Sequence, residues 1–328
     1  MEKDRNSFIL RLLSTLFVIL AINFFLPRVM PGDPFTTISS DEIGEEIIVM
    51  TEEQRLYYLN YYGLDRPLHE QLLVYMKNLM TGNLGRSIYY KMPVSDVIML
   101  HLPWTILIVA SATVISTVSG VFLGTLSAKN RKNGSDRIMM TCMIAFAEIP
   151  PFLLGLILLL VFSVHLRLFP LAGAVTPFAD YNAPLEQAWD IMYHAFLPVV
   201  TLSLTQLTGV YLLTRNTLIT VTTKDYIRTA RSKGLSERTV IYKHALRNAL
   251  IPIVTIIGLS LPGLFSGAII TESIFAIPGI GKIALDAVNK RDYPLMMGFS
   301  MFVAVLTLLG NLLSDILYAF VDPRVKLK

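Results

Sequence analysis

Charge is scarce in this sequence, and cysteine is almost absent. Asp, Glu, Lys and Arg make up only 16% of the 328 residues, where an ordinary soluble domain carries about a quarter. The single cysteine, Cys142, lies inside an apolar run, which excludes an internal disulfide and leaves it as a small membrane-helix hydrophobe. The histidines (His69, His101, His165, His194, His244) are scattered without the paired spacing of a metal site. No Ser/His/Asp or GxSxG arrangement occurs, since Gly258-Leu259-Ser260-Leu261-Pro262 lacks the closing glycine. Pro278-Gly279-Ile280-Gly281-Lys282 resembles a phosphate loop only superficially: Ala276 and Ile283 stand where a Walker motif needs Gly and Ser or Thr. A catalytic role, a resident cofactor, a bound metal and a nucleotide site are therefore not expected. The net charge of +4 is no argument for nucleic acid, because the basic residues sit in particular short loops.

What the chain does have is apolar residues, 53% of the total. They gather into six runs, at 9–28, 102–128, 138–164, 195–221, 249–271 and 295–320, each near the ~20 residues that cross a bilayer as helix. The expected fold is all-α integral membrane with six transmembrane helices. Residues 12–30 are too long for a signal-peptide core and no small-residue cleavage site follows, so an uncleaved first span is expected. Prolines at 150–151, 198, 252 and 262 interrupt the runs, which membrane helices tolerate when neighbours satisfy the freed carbonyls.

Loop charge sets the orientation. The 129–137 loop carries Lys129, Arg131, Lys132 and Arg137 against Asp136, the 222–248 loop is strongly basic, and the tail ends in Arg324, Lys326 and Lys328. The 165–194 loop and the 31–100 segment lean acidic. The positive-inside rule then places both termini in the cytoplasm. The expected organisation is a cytoplasmic N-terminus and first span (1–30), a small external subdomain (31–100) with helical spacing at Leu68, Leu72, Tyr75 and Leu79, and a core at 101–328.

The 222–248 loop is far longer than a turn between spans four and five requires. It reads as two short helices. Thr222 or Thr223 caps the first, Asp225 sits in its first turn, Arg228, Arg231 and Lys233 lie near its end, and Gly234 follows as the C′ residue. Ser236 caps the second, with Glu237 in its first turn. Charge alone leaves two uses open: a lever gripped by a motor subunit, or a basic helix on anionic lipid.

The stretch Asp225-Tyr226-Ile227-Arg228-Thr229-Ala230-Arg231-Ser232-Lys233-Gly234-Leu235-Ser236, followed by His244-Ala245-Leu246-Arg247-Asn248-Ala249-Leu250-Ile251-Pro252, resembles the EAA coupling loop of ABC-importer permeases. It departs from the generic pattern, with Arg228 and Thr229 where Glu and Ala would open it and a longer reach from Gly234 to Pro252. That form is similar to the dipeptide/oligopeptide/nickel family. Further fragments look like the first-listed (B-type) permease of that family: Leu10-Arg11-Leu12-Leu13, Arg28-Val29-Met30-Pro31-Gly32-Asp33-Pro34, Gly63-Leu64-Asp65-Arg66-Pro67, Gly82-Asn83-Leu84-Gly85-Arg86-Ser87, and Glu272 through Gly281. The resemblance implies a bacterial inner-membrane permease forming half of a solute path for peptides, or for nickel or another metal chelate, glutathione or an oligosaccharide. It implies as partners a second homologous permease, two ATP-binding subunits that hold ATP and Mg, and an external substrate-binding protein. It places ATPase coupling on Asp225, Tyr226, Arg228, Thr229, Ala230, Arg231, Lys233, Gly234, Leu235 and Ser236. The alternatives are a stand-alone ion-coupled secondary transporter, which should show an inverted repeat, and a membrane scaffold recruiting partners through the basic loop.

Two ionisable residues stand at membrane depth, Glu148 beside Pro150-Pro151 and Arg215 in span four. Each can line the solute path. Otherwise Arg215 snorkels to the interface and Glu148 satisfies helix or partner groups. Glu272, near a span end, is expected to be structural.

Overall fold

The computed structural model describes residues 18–29, 51–131, 133–250, 253 and 268–321, with side chains described as far as 309 in the last stretch. The described residues are mostly helical and contain no strand, only an isolated bridge between Arg86 and Pro93. The helices are α1 (Val18–Val29), α2 (Glu52–Tyr62), α3 (Leu68–Met80), α4 (Val94–Lys129), α5 (Gly134–Ala147), α6 (Pro151–His165, its last turns π-helical), α7 (Pro184–Val221) and α8 (Asp225–Ser232). After them come α9 (237–250), α10 (268–274), α11 (Ile280–Asn289) and α12 (Tyr293–Val321).

Helices α4 and α7 are each long and apolar enough to cross a membrane. The predicted third span, 138–164, is not one rod. Helices α5 and α6 meet at a bend of 95°. Pro150 disfavours helical geometry at Ile149, and Pro151 suits the first turn of a new helix, so the chain stops and restarts there. Helix α7 begins at Pro184, ahead of the predicted span, and carries Pro198 without breaking. The predicted span 249–271 falls largely outside the described residues, as does the first half of 9–28.

The described chain forms two compact units: residues up to Leu102 with Ile283–Leu309, and Pro103–Lys282 with the residues from Gly310 on. In the first, Asn23 of α1 donates to the Met297 carbonyl (2.8 Å) and to the Tyr75 hydroxyl (3.3 Å), and the fully buried Phe24 lies against Tyr75. The buried Asp292 caps α12 through the Leu295 amide (3.1 Å), and accepts from the Tyr89 amide (3.0 Å) and the Ser87 hydroxyl. Helix α2 starts on a capping box between Thr51 and Gln54 and ends at Gly63, which has a positive φ of 66°. The spacing at Leu68, Leu72, Tyr75 and Leu79 does form a helix, α3.

In the second unit, α4 and α7 touch through backbone. A Cβ on Gly120 would stand 2.7 Å from Val210, and one on Gly124 would stand 2.7 Å from the Tyr211 carbonyl oxygen. Two glycines four apart form the small-residue face that lets membrane helices approach this closely. Helix α11 spans the boundary of the two units and lies between the last two expected apolar runs, where no helix is expected from the sequence. Its Ile280, Ile283, Ala284 and Ala287 are buried at helical spacing.

Candidate functional site

The coupling segment folds as a helical hairpin. Helix α8 buries Ile227 and Ala230, three apart, in an apolar cluster with Leu218 of α7 and Val240, Ala245 and Ala249 of α9. Full burial of an isoleucine contributes about 1.5–3 kcal/mol, enough to hold a helix of two turns that would not persist alone. The expected cap at Thr222 or Thr223 is not what the structure shows. Lys224 occupies the N-cap position with no side-chain bond, and both threonine hydroxyls turn back to carbonyls of α7 at 2.8–2.9 Å. Local side-chain-to-backbone bonds compete for such hydroxyls, and here both threonines bond the last turn of the preceding helix instead of capping the next one.

The exit from α8 follows the expected chemistry. Gly234 takes a φ of 76°, and Ser236 caps α9 by accepting from the Thr239 amide at 3.3 Å. Across the turn, Arg231 grips Glu237 with two bonds, Nη2 to Oε1 at 2.7 Å and Nε to Oε2 at 3.2 Å. That guanidinium holds the Glu237 carboxyl below the usual carboxylate range, while the carboxylate raises Arg231. The opposite face of the hairpin is open. Tyr226 is 45% exposed, Leu235 is 40% exposed, and Asp225, Arg228, Thr229 and Lys233 are exposed as well. Asp225 and Arg228 stand 3.8 Å apart, with both side chains exposed. Of the ten sequence-assigned residues, then, Ala230 faces inward, Arg231 braces the turn, Gly234 and Ser236 shape it, and the others form an outward face of mixed charge around one aromatic ring.

The two membrane-depth residues are not brought together. Arg215 faces Asp136 of α5 in a two-pronged ion pair, Nε to Oδ1 at 2.8 Å and Nη2 to Oδ2 at 2.7 Å, with side chains only 13% and 6% exposed. Its charge is thus committed to a neighbouring helix. Asp136 also accepts from the Ser127 hydroxyl of α4, which stands 2.7 Å from that of Tyr211 on α7, so one carboxylate ties three helices. In the sequence Asp136 stands out only as a minority charge in a basic loop. Glu148 lies at the C-cap of α5, at the 95° bend, with its side chain exposed.

Glu272 is fully buried. It accepts from the Thr105 hydroxyl (2.6 Å) and the Lys282 amide (3.0 Å), and Thr105 in turn accepts from the Ile280 amide (2.8 Å). Any side chain on Gly279 would collide with that carboxyl, its Cβ falling 2.2 Å from Cδ. The glycines that mimic a phosphate loop therefore wrap a carboxylate of the chain itself. Among the described residues no group of acids, histidines and cysteines is placed to hold a metal ion.

Residues 120–327 match the family described as the binding-protein-dependent transport system inner membrane component. The chain is 38% identical over 307 residues to the oligopeptide transport system permease protein AppB of Bacillus subtilis, covering 93% of each chain. It is 37% identical over 318 residues to the dipeptide transport system permease protein DppB of Lactococcus lactis, covering 96% of each. Similarity to the glutathione transport system permease protein GsiC of Escherichia coli O6:H1 is 34% over 320 residues, covering 98% of this chain and 97% of that one. The inward-facing MetNI methionine ABC transporter shares the fold, with a TM-score of 0.53 at 16% identity over 70% of this chain and 97% of that one. The chain therefore belongs to the binding-protein-dependent inner-membrane transport components, as a permease subunit of an ATP-binding-cassette importer and not a stand-alone carrier.

Proposed function

We propose that this permease forms half of the path for a peptide or peptide-like solute and that the α8–Gly234–α9 hairpin is where a cytoplasmic ATPase subunit takes hold. The hairpin carries the reading: one face is anchored in apolar packing and the turn is braced by Arg231–Glu237, while Tyr226, Arg228, Lys233 and Leu235 are exposed to a partner. A short rigid body of this kind transmits a push without bending, which is what ATP-driven rocking of a helical bundle requires. In this reading both termini and the hairpin are cytoplasmic, residues 31–100 are external, and ATP and Mg are held by two ATP-binding partners. A second homologous permease completes the path, and an external binding protein delivers the solute. Glu148, exposed at the α5–α6 bend, is the candidate to meet solute. Peptide as the solute class follows the named transport systems of the relatives.

The test is co-purification. Tyr226→Ala combined with Arg228→Glu and Lys233→Glu should leave the melting temperature of the permease unchanged and abolish retention of the ATPase subunits. Full retention after scrambling 226–236 would sink the docking assignment. Glu148→Gln should slow uptake in a complex that still assembles, and wild-type uptake would remove Glu148 from the path.

A further inference from the structure

Three of the sequence fragments set apart above, around Arg28, Gly63–Pro67 and Gly82–Ser87, meet about one cavity of about 380 Å³ in the first unit. That volume is in the range of small-molecule sites. Its wall includes Arg28, Arg66 and Arg86 together with Tyr62, Asn78 and Asn83, and among the described residues it contains no Asp or Glu. Among the described residues none of the three guanidinium groups is ion-paired. Asp65, next to Arg66 in the chain, is turned instead toward Asn60, at 3.4 Å.

The cavity is held in shape by bonds that leave donors over. Arg28 Nε donates to Gln71 Oε1 (2.9 Å) and Nη1 to the Phe24 carbonyl (2.7 Å), with the guanidinium stacked 3.7 Å above the Phe24 ring. Gln71 in turn donates to the Arg66 carbonyl (2.8 Å), tying the 63–67 turn to α1. Asn83 fixes the other turn by accepting from the Gly85 amide (2.9 Å), and Arg86 donates to the Lys91 carbonyl through Nη2 alone. Burial, chiefly, pushes the Tyr62 hydroxyl up to about 12, so it stays neutral at working pH. Three cations without a counter-ion among the described residues, in a concave site of this size, call for an anion, and guanidinium forks match carboxylate geometry.

We infer that this cavity takes the carboxylate of a small peptide on the external side of the permease. The inference rests on the peptide-import reading above, and its failure is separable from that reading because ATPase retention does not depend on it. The experiment uses the assembled permease–ATPase complex in nanodiscs without the external binding protein, titrated with dialanine and with C-terminally amidated dialanine. Dialanine should bind about tenfold more tightly than its amide, and Arg66→Gln and Arg86→Gln should each weaken it by about tenfold while the ATPase subunits stay bound. Arg66→Lys, which keeps the charge and loses the fork, should fall between and covers the case where the glutamine variant fails to assemble. Equal binding of dialanine and its amide, or affinity indifferent to both arginines, overturns the inference. Displacement by equimolar inorganic phosphate would show a general anion site and overturn the peptide assignment. A tenfold gain in dialanine affinity on neutralising Asp41, Glu42, Glu45 and Glu46 would mark this chain's own acidic stretch as the occupant, and would overturn the peptide assignment equally.

Discussion

Removing one partner of the Asp136–Arg215 pair should be among the most damaging single changes outside the apolar core. Asp136→Asn leaves a guanidinium 13% exposed without its counter-charge, and Arg215→Gln leaves a carboxylate 6% exposed with the Ser127 hydroxyl as its remaining side-chain donor among the described residues. Breaking a buried pair by truncating one side costs about 3–5 kcal/mol. This pair borders a cavity of about 540 Å³ that Arg131 and Arg137 also line. Water reaching that cavity softens the loss, so the low end, about 3 kcal/mol for each single variant, is the figure to expect. The double variant Asp136→Asn/Arg215→Gln removes both charges together and should cost about 3 kcal/mol less than the sum of the singles. Thermal unfolding of the assembled complex in detergent or nanodiscs reads this out. At about 2–4 °C per kcal/mol, each single should melt about 6–12 °C low, with the double no lower than either. An Arg215→Gln variant melting with the wild type, or singles that simply add in the double, would refute the clamp and return Arg215 to the solute path or the lipid interface.

Three further outcomes follow from the geometry. Gly279→Ala should destabilise by about 1–3 kcal/mol through its clash with the Glu272 carboxyl, and by less than about 1 kcal/mol in a Glu272→Ala background; melting curves showing equal costs would refute the packing of Gly279 against that carboxyl. Gly234→Ala should cost about 1 kcal/mol because the strain is in the backbone, with open space around the position, and Gly234→Asn should cost less; equal melting of all three chains would contradict the positive φ. The Glu237 carboxyl titrates lower in the fold than when free, so its pairing stabilises the hairpin fully above the free carboxylate range and is lost as pH falls through its lowered value. Because both side chains are about half exposed, the amide-exchange protection of 231–237 should fall only slightly as the pH drops below about 4, and Glu237→Gln should remove that pH dependence.

Local signals in the sequence carry the hairpin well. Gly234 and Ser236 need only their own backbone geometry and the amide three residues on, so residue type and position suffice to read them. Thr222 and Thr223 mislead because two local partners compete for one hydroxyl, and only the preceding helix settles which wins. The bend at Pro150-Pro151 is visible as a composition but not as an angle. Two adjacent prolines permit either a kink within one rod or a full restart, and hydropathy reads both alike. Asp136 and Glu272 lie beyond reach for a different reason. Their partners are 79 and 167 residues away in the chain, and nothing in a charge pattern marks a carboxylate as buried. Helix α11 does carry buried positions at helical spacing, but its ten residues are too few to register as an apolar run.

The glycine face between α4 and α7 has a consequence for how force moves through the second unit. Where helices meet through long side chains, rotamers can absorb a small displacement and the partners slip past each other. Gly120 and Gly124 leave no such cushion, because the surfaces in contact are main chain and Cβ. The Asp136 bonds to Arg215 and Ser127 pin the same pair of helices farther along. In the proposed coupling role, a load delivered to α8 would reach α7 through Leu218 and would carry α4 along with it, so that α4 and α7 would travel as one strut.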